Sequence, residues 1–508
     1  AQACLAQDQG SMRTFVRRTP CVRWLRQASR ACVEYEHSGD NAESHLRSLQ
    51  KGAFNRSTFI KEPSKCEVQA SYELRGDVGR GAFGSVCAGR SRRTGEEVAV
   101  KTIRKELFLK HECMRLEVKL LTMTDHPNVA RLFEVIEDDE HVHLVMELCG
   151  GGELWQRILF NHDGGLGYDE AELADATRQM LRAIAYVHGQ SIVHRDIKPE
   201  NFLFASSAKD APLKLVDFGI SGIVPRDHPE TRLLTSMVGT DGYMAPEILL
   251  SRPYGPAVDI FSLGAVLHAA IVGLPPRWLA ERREYSYPGR IRWRTLSADA
   301  QDLLGRLLAE DPEARPTAAE ALQHPWLSGA VASEPRPLHA ETCEQLRRFG
   351  QRSKLERAAR FAIAALGKLR SDEARELQEI FLRADADCSG EVTKAELLAA
   401  LGPVEATELQ RIFDDIDCSH HGSLSYTEFL AAAASAAWVG DCDRARRAFD
   451  MLDADGDGYI TPAEVEAALP GVYTSQEMAA EFQRLDLDGD GQLNFTEFCK
   501  MLSPAEVS

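Results

Sequence analysis

From Ser371 to Ser508 one pattern recurs four times: a helix-like stretch, an acidic loop containing glycine, and a second helix-like stretch. The loops start at Asp385, Asp417, Asp453 and Asp486, which are 32, 36 and 33 residues apart. Such a repeat confines this part of the chain to stacked helix-loop-helix units. Charge is segregated in the same way: residues 371–508 hold 29 Asp and Glu against 9 Lys and Arg, a net of -20, and the rest of the 508-residue chain stands at +2. An acidic block is most often a solvated surface, but carboxylates at fixed spacing set cation binding against that plainer reading. This balance also argues against nucleic acid as a partner.

An EF-hand loop places oxygen ligands at positions 1, 3, 5, 7, 9 and 12, with glycine at 6 for the turn and an apolar residue at 8. Three loops fit. They are Asp385, Asp387, Ser389, Gly390, Glu391, Val392 and Glu396; then Asp453, Asp455, Asp457, Gly458, Tyr459, Ile460 and Glu464; and last Asp486, Asp488, Asp490, Gly491, Gln492, Leu493 and Glu497. Glu391, Tyr459 and Gln492 occupy position 7, where the ligand is the backbone carbonyl. Four carboxylates within 12 residues repel one another unless a cation lies among them, so loops three and four are read first as Ca²⁺ sites. Ser389 gives loop one a neutral oxygen, and weaker binding is expected there. The second loop, Asp417 to Glu428, has Ser419 and His421 at positions 3 and 5. An imidazole suits a hard cation poorly, and the expected role of this loop is to pair with the first through Leu424 and Val392.

Upstream, alternating apolar residues and glycines from Tyr72 suggest short strands, and helical periodicity then runs to Trp326. Gly79-Arg80-Gly81-Ala82-Phe83-Gly84-Ser85-Val86 lies between two strand-like runs. Glycine there lets backbone amides approach a phosphate, though a tight hairpin turn would explain the run equally well. Val98-Ala99-Val100-Lys101 follows, a buried-type strand with one cation, and then a helix containing Glu117. His194-Arg195-Asp196-Ile197-Lys198-Pro199-Glu200-Asn201, Asp217-Phe218-Gly219 and Ala245-Pro246-Glu247 complete the series. In order and spacing it resembles the eukaryotic protein kinases over residues 72–326, with Asp259, Arg315 and His324-Pro325-Trp326 in matching places.

The resemblance implies an α+β bilobal kinase fold, with a mainly antiparallel sheet in the smaller lobe, and the four EF-hand repeats after it are read as an all-α calmodulin-like domain. It implies ATP and Mg²⁺ as cofactors, because phosphoryl transfer leaves the protein chiefly positioning and charge neutralisation to do. Asp196 would orient the attacking hydroxyl, Lys198 would neutralise the moving phosphate, and Asn201 with Asp217 would hold Mg²⁺. Lys101 would grip the phosphates and pair with Glu117. Gly79, Gly81, Phe83, Gly84 and Val86 would cover the nucleotide, and Met146, Glu147 and Cys149 would line the adenine. Glu153 borders the same pocket and, with Glu200, matches positions that meet basic residues upstream of the phosphorylated hydroxyl. Lys198 two places after Asp196 resembles the serine/threonine subgroup. Ser236 aligns with the usual activation-segment phosphosite, where a phosphate would pair with Arg195. Two departures, Asp241-Gly242 and a short stretch between Pro276 and Trp293, fall where a peptide would dock.

Between the two units the stretch from Leu338 to Arg370 carries eight Lys and Arg against three Glu. Leu346, Phe349, Leu355, Phe361, Ile363 and Leu366 form an apolar stripe that an acidic EF-hand groove would grip, with a plain spacer helix as the alternative. Kinase unit (72–326), linker and junction (327–370) and four repeats (371–508) on one chain resemble the calcium-dependent protein kinases of plants and protists. That likeness implies a Ca²⁺-activated kinase whose junction helix is autoinhibitory and whose partners are proteins phosphorylated on Ser or Thr. Two other readings remain open here, a calcium-sensing scaffold and a kinase governed by separate calmodulin. Residues 1–70 are expected to be a tail. Six arginines and no acid between Ser11 and Val33 give it a basic face for peripheral membrane contact, beside the plainer reading of a solvated tail. No apolar run reaches the roughly 18 residues of a membrane span. Twelve cysteines without a C-x-x-C pair suit a reducing, cytoplasmic setting.

Overall fold

The computed structural model describes residues 64–80, 84–154, 157, 169–224, 233–328, 340–366, 372–401, 405–417, 421–468 and 474–502. The arginine-rich tail, Gly81 to Phe83 and Ser419 lie outside them. In the small lobe, short β-branched runs form one sheet. Its strands are β1 (Ser64–Lys65), β2 (Tyr72–Arg80), β3 (Gly84–Ser91), β4 (Glu97–Arg104), β5 (Leu132–Glu137) and β6 (His141–Glu147), in the order β1-β5-β6-β4-β3-β2. All pairings are antiparallel except that of β1 with β5.

β1 and the helix Val68–Ser71 fall within the span expected to be tail. They are folded because Val68 is fully buried against Val98, Val100, Ile136 and Val145. A two-residue strand and one helical turn are too short to show a period in the sequence. Successive side chains of β4 point to opposite faces. Val98 and Val100 enter that core, which leaves Lys101 facing the helix Glu112–Met123 on the other side.

The large lobe is helical. Asp169 caps the helix Glu170–Gly189 by accepting from the Ala171 amide. The helix Ala257–Val272 is apolar apart from Asp259, Ser262 and His268 and is buried from Val258 onward, as a helix through the middle of a lobe must be. It ends at Gly273, whose φ of +88° suits the left-handed cap. Among the described residues no helix is long and apolar enough to cross a membrane. Seven described cysteines are free thiols, but Cys113 is in a disulfide bond, a departure from the reduced state expected of the sequence.

In the C-terminal region the loops pair as expected. Val392 stands opposite Leu424, and Ile460 opposite Leu493, in short antiparallel ladders. The junction forms two helices, Ala340–Phe349 and Lys354–Leu366. Leu346, Phe349, Leu355, Phe361 and Ile363 share one core with Phe381, Phe429, Phe449 and Phe498 of the repeats. The side chain of Leu366 lies outside the described residues.

Glu247 and Arg315 meet beneath the large lobe, Nη1 to Oε1 at 2.6 Å and Nη2 to Oε2 at 2.9 Å, with both side chains buried. Arg315→Ala leaves the Glu247 carboxylate buried without its partner, and denaturant unfolding of the variant is expected to record a loss of about 3–5 kcal/mol.

Candidate active site and calcium loops

Lys101 is paired with Val86 of β3 on one side and Leu144 of β6 on the other, so the sheet fixes its backbone. Its Nζ binds Glu117 Oε1 and lies 3.0 Å from Asp217 Oδ1. Burial alone would lower the Lys101 pKa, but Asp217 and Glu117 more than offset it and hold the ammonium above its usual range. Burial works against the charged Asp217 carboxylate too, yet Lys101 holds it at about 2, fully ionised at neutral pH. Asp217 adopts a φ of +63°, a strained backbone of the kind found at functional sites. Phe218 behind it is buried, edge-on to His194 at 5.2 Å. The roof is set by Gly84: a Cβ there would stand 1.9 Å from the Thr102 carbonyl oxygen, so β3 approaches β4 closely only because residue 84 is glycine. Gly79 pairs with Val86 across the first hairpin, and Gly81 and Phe83 are not described.

The catalytic loop hangs from Asp259. This buried carboxylate accepts the amides of His194 and Arg195, each at 2.8 Å, and His188 Nε2 at 2.8 Å. Asp196 then meets three partners. Thr240 donates to its Oδ1 at 2.6 Å, Asn201 Nδ2 donates to its carbonyl at 2.8 Å, and Lys198 Nζ binds its Oδ2. Thr240 also accepts from Lys198 at 3.3 Å, a role the sequence reading did not give it. With its amide nitrogen committed to Asp196, Asn201 has its oxygen left to offer a cation. That oxygen and the ionised Asp217 are the hard ligands Mg²⁺ requires, so the residues fit the metal.

Arg195, with a φ of +68°, donates to Ser236 Oγ at 2.8 Å and to the carbonyls of Ile220 and Ser221. Ser236 is itself buried, and its carbonyl accepts from Tyr254 at 2.7 Å. The activation segment is thus tied to Arg195 by a neutral hydroxyl. On the adenine side β6 ends at Glu147, and Leu148 and Cys149 follow where the chain leaves the sheet. Lys214 Nζ lies 3.0 Å from Glu147 Oε2; although burial opposes ionisation, Lys214 and Arg131 hold this carboxyl below its usual range.

Each calcium loop folds its carboxylates inward on its own amides. In loop three Asp453 accepts from Gly456 and Gly458, Asp455 from Asp457, and Glu464 from Ala454 and Thr461. Loop four repeats this with Asp486, Asp488, Asp490 and Glu497. In loop one Asp385 accepts from Gly390, and Glu396 from Ala386 and Thr393. The position-6 glycines, Gly390, Gly458 and Gly491, have φ of +83°, +93° and +85°. Asp385, Asp387 and Glu396 converge, as do Asp453, Asp455 and Glu464, and Asp486, Asp488 and Glu497. Burial, and then the like charges of Asp387 and Glu396, push Asp385 up to about 7, the electrostatic cost that a bound cation would relieve.

Contacts that no local motif signals join the two units. Arg131, whose carbonyl accepts the Glu147 amide at 2.8 Å, donates to the Ala364 carbonyl of the junction at 2.8 Å and lies 5.1 Å over the Tyr426 ring. The Thr427 amide donates to Asp125 at 2.8 Å. Tyr186 packs on loop one so closely that a Cβ on Gly390 would be 2.2 Å from its ring. Arg93 meets Asp450 at 2.9 Å at the small lobe.

These features define a protein serine/threonine kinase carrying its own EF-hand module. The protein kinase domain family matches residues 72–327, and the EF-hand domain pair family matches residues 374–434 and 443–503. Calcium-dependent protein kinase 33 of Arabidopsis thaliana is 34% identical over 454 residues, spanning 86% of this chain and 85% of its own length. Calcium-dependent protein kinase 29 of the same plant is 35% identical, spanning 86% and 83%. Calcium-dependent protein kinase 3 of Oryza sativa subsp. japonica is 34% identical, spanning 86% and 80%. The chain belongs to the calcium-dependent protein kinase family.

In phosphoryl transfer at this site Asp196 would accept or orient the proton of the substrate hydroxyl, held in direction by Thr240 and Asn201. Lys101, beside Glu117 and Asp217, and Lys198, beside Asp196, would offer positive charge to the phosphates. Asn201 and Asp217 would hold Mg²⁺, which when bound would further neutralise phosphate charge. Asp196→Ala removes the proton acceptor, and steady-state assays should record a fall in kcat of about 10²–10⁴-fold with nucleotide binding retained.

Proposed function

We propose that Ca²⁺ in the EF-hand loops switches this kinase on by seizing the junction helices, which without it would lie across the substrate cleft. The observation that carries this reading is the complete burial of Leu346, Phe349, Leu355, Phe361 and Ile363 in the core of the calcium module. A stripe engaged there is not free to cover a cleft, so the two placements compete. Burial of each such side chain is worth about 1.5–3 kcal/mol. Reversing a 1:99 population takes about 5.5 kcal/mol, so even part of this stripe suffices.

Arg360 is tied into the grip by Nε to Glu356 at 3.2 Å and by Nη1 donating to the Ala434 carbonyl at 3.1 Å, yet its burial has a cost. It is fully buried, Nη2 has no partner among the described residues, and burial pushes its pKa down to about 10. Linkage requires that whatever frees the cleft also tightens Ca²⁺ binding. With purified chain and a peptide substrate, phosphorylation should vanish in a Ca²⁺ chelator and return with Ca²⁺ alone, without added calmodulin. Glu464→Gln, which removes one charge of the bidentate ligand in loop three, should raise the Ca²⁺ concentration needed. Equal activity with and without the chelator would sink this reading.

The substrate preference follows from Glu153 and Glu200. Burial, and then the neighbouring Glu200 carboxylate, raise the Glu153 pKa, so the pair is better satisfied with a cation between them. A Lys or Arg of the substrate supplies one. Replacing both by Gln should cut the preference for basic over neutral peptides, read as the ratio of kcat/KM values, by roughly five- to thirtyfold, at about 0.5–1 kcal/mol for each charge pair. An unchanged ratio would remove Glu153 and Glu200 from substrate selection.

A further inference from the structure

The turn between β5 and β6 carries a cluster that neither phosphoryl transfer nor the calcium loops use. Four consecutive acids, Glu137, Asp138, Asp139 and Glu140, precede His141 and His143. Residues two apart on a strand share a face, and the two imidazole centroids are 5.8 Å apart. Asp138 faces both: its Oδ2 lies 2.8 Å from His143 Nε2, and its Oδ1 lies 3.6 Å from His141 Nδ1. The backbone amides of Glu140 at 2.9 Å and His141 at 2.6 Å hold this carboxylate in place. Behind the cluster, Thr102 Oγ1 is 2.9 Å from His143 Nδ1. With Nδ1–H donated to that hydroxyl, Nε2 becomes the nitrogen that presents a lone pair, as in the outer shell of histidine metal sites.

We propose that Asp138, His141 and His143 bind a zinc-class divalent ion on the outer edge of the small lobe. Two imidazoles and one carboxylate suit a borderline cation and not Ca²⁺ or Mg²⁺, which separates this site from the oxygen cages downstream. One ligand atom from each of the three residues lies within 4.8 Å of the others. Bonds of 2.0–2.2 Å in a tetrahedron put ligands about 3.3 Å apart; Asp138 Oδ2 stands 2.8 Å from His143 Nε2 and Oδ1 stands 3.6 Å from His141 Nδ1, so a small turn of the carboxylate lets one oxygen serve with both imidazoles. The ion takes the position of the proton shared by His143 and Asp138, and water fills the fourth place. His143 is buried whereas Asp138 and His141 are partly exposed, so the ion enters from solvent. The run of acids attracts it, and the neighbouring cation, Lys105, is engaged by Glu137. Bound metal would pin the turn to β4 at Thr102, the residue next to Lys101.

The test is titration of the full chain with Co²⁺ in saturating Ca²⁺, which keeps the EF-hand loops filled, followed by competition with Zn²⁺. The expected result is one Ca²⁺-insensitive equivalent, displaced by Zn²⁺, with visible bands of nitrogen and oxygen ligation and none of thiolate. His141→Ala should abolish it, and Thr102→Val should weaken it about tenfold or more. His141 is partly exposed, so its variant should keep Ca²⁺-stimulated phosphorylation and its unfolding temperature without Co²⁺, which separates loss of the site from loss of the fold. The same equivalent bound by His141→Ala, thiolate bands alone, or no Ca²⁺-insensitive binding would each overturn the proposal.

Discussion

One ammonium group gathers three elements that lie far apart in the sequence. Lys101 comes from the sheet, Glu117 from the helix beside it, and Asp217 from the large lobe. None of the three charges is comfortable alone, since each is removed from much of the solvent. Together they form a network in which loss of one member leaves another buried and uncompensated, the costly case for buried ions. The lobes therefore have one relative placement that satisfies all three. Asp217 is held ionised there by Lys101, and the strain of its backbone is carried by the same contacts.

Asp259 does for the catalytic loop what Lys101 does for the lobes. It belongs to a fully buried helix and takes two consecutive amides of the loop. The position of Asp196 is thereby referred to the rigid middle of the large lobe. Its remaining partners, Thr240 and Lys198, add direction, so the proton acceptor is preorganised by packing.

The calcium module reaches the same machinery through Arg131. That residue exchanges backbone contact with Glu147 at the adenine side and offers its side chain to the junction and to Tyr426. Tyr186 against Gly390 and Asp125 against Thr427 place loops one and two on the kinase unit. Loop two, with an imidazole in its fifth place, contributes through this contact and through Leu424.

Much of the active site was legible in the sequence, because the kinase motifs are short and the identity of each residue carries its chemistry. Legible too were the calcium cages, whose ligands lie within 12 residues and converge once a glycine turns the loop. Val68 and β1 escaped notice because their place depends on a sheet edge built by β5. Thr240 and Arg131 escaped it because their partners are 42 and 233 residues away, and no spacing rule reaches so far. By itself the sequence determined the reaction, the cations and the repeat, since these follow from local ligand geometry. Only the tertiary structure decided where the junction stripe is buried and which surfaces of the two units meet. Burial is a property of the whole packed chain, and it selects among placements that a local pattern leaves equal in energy.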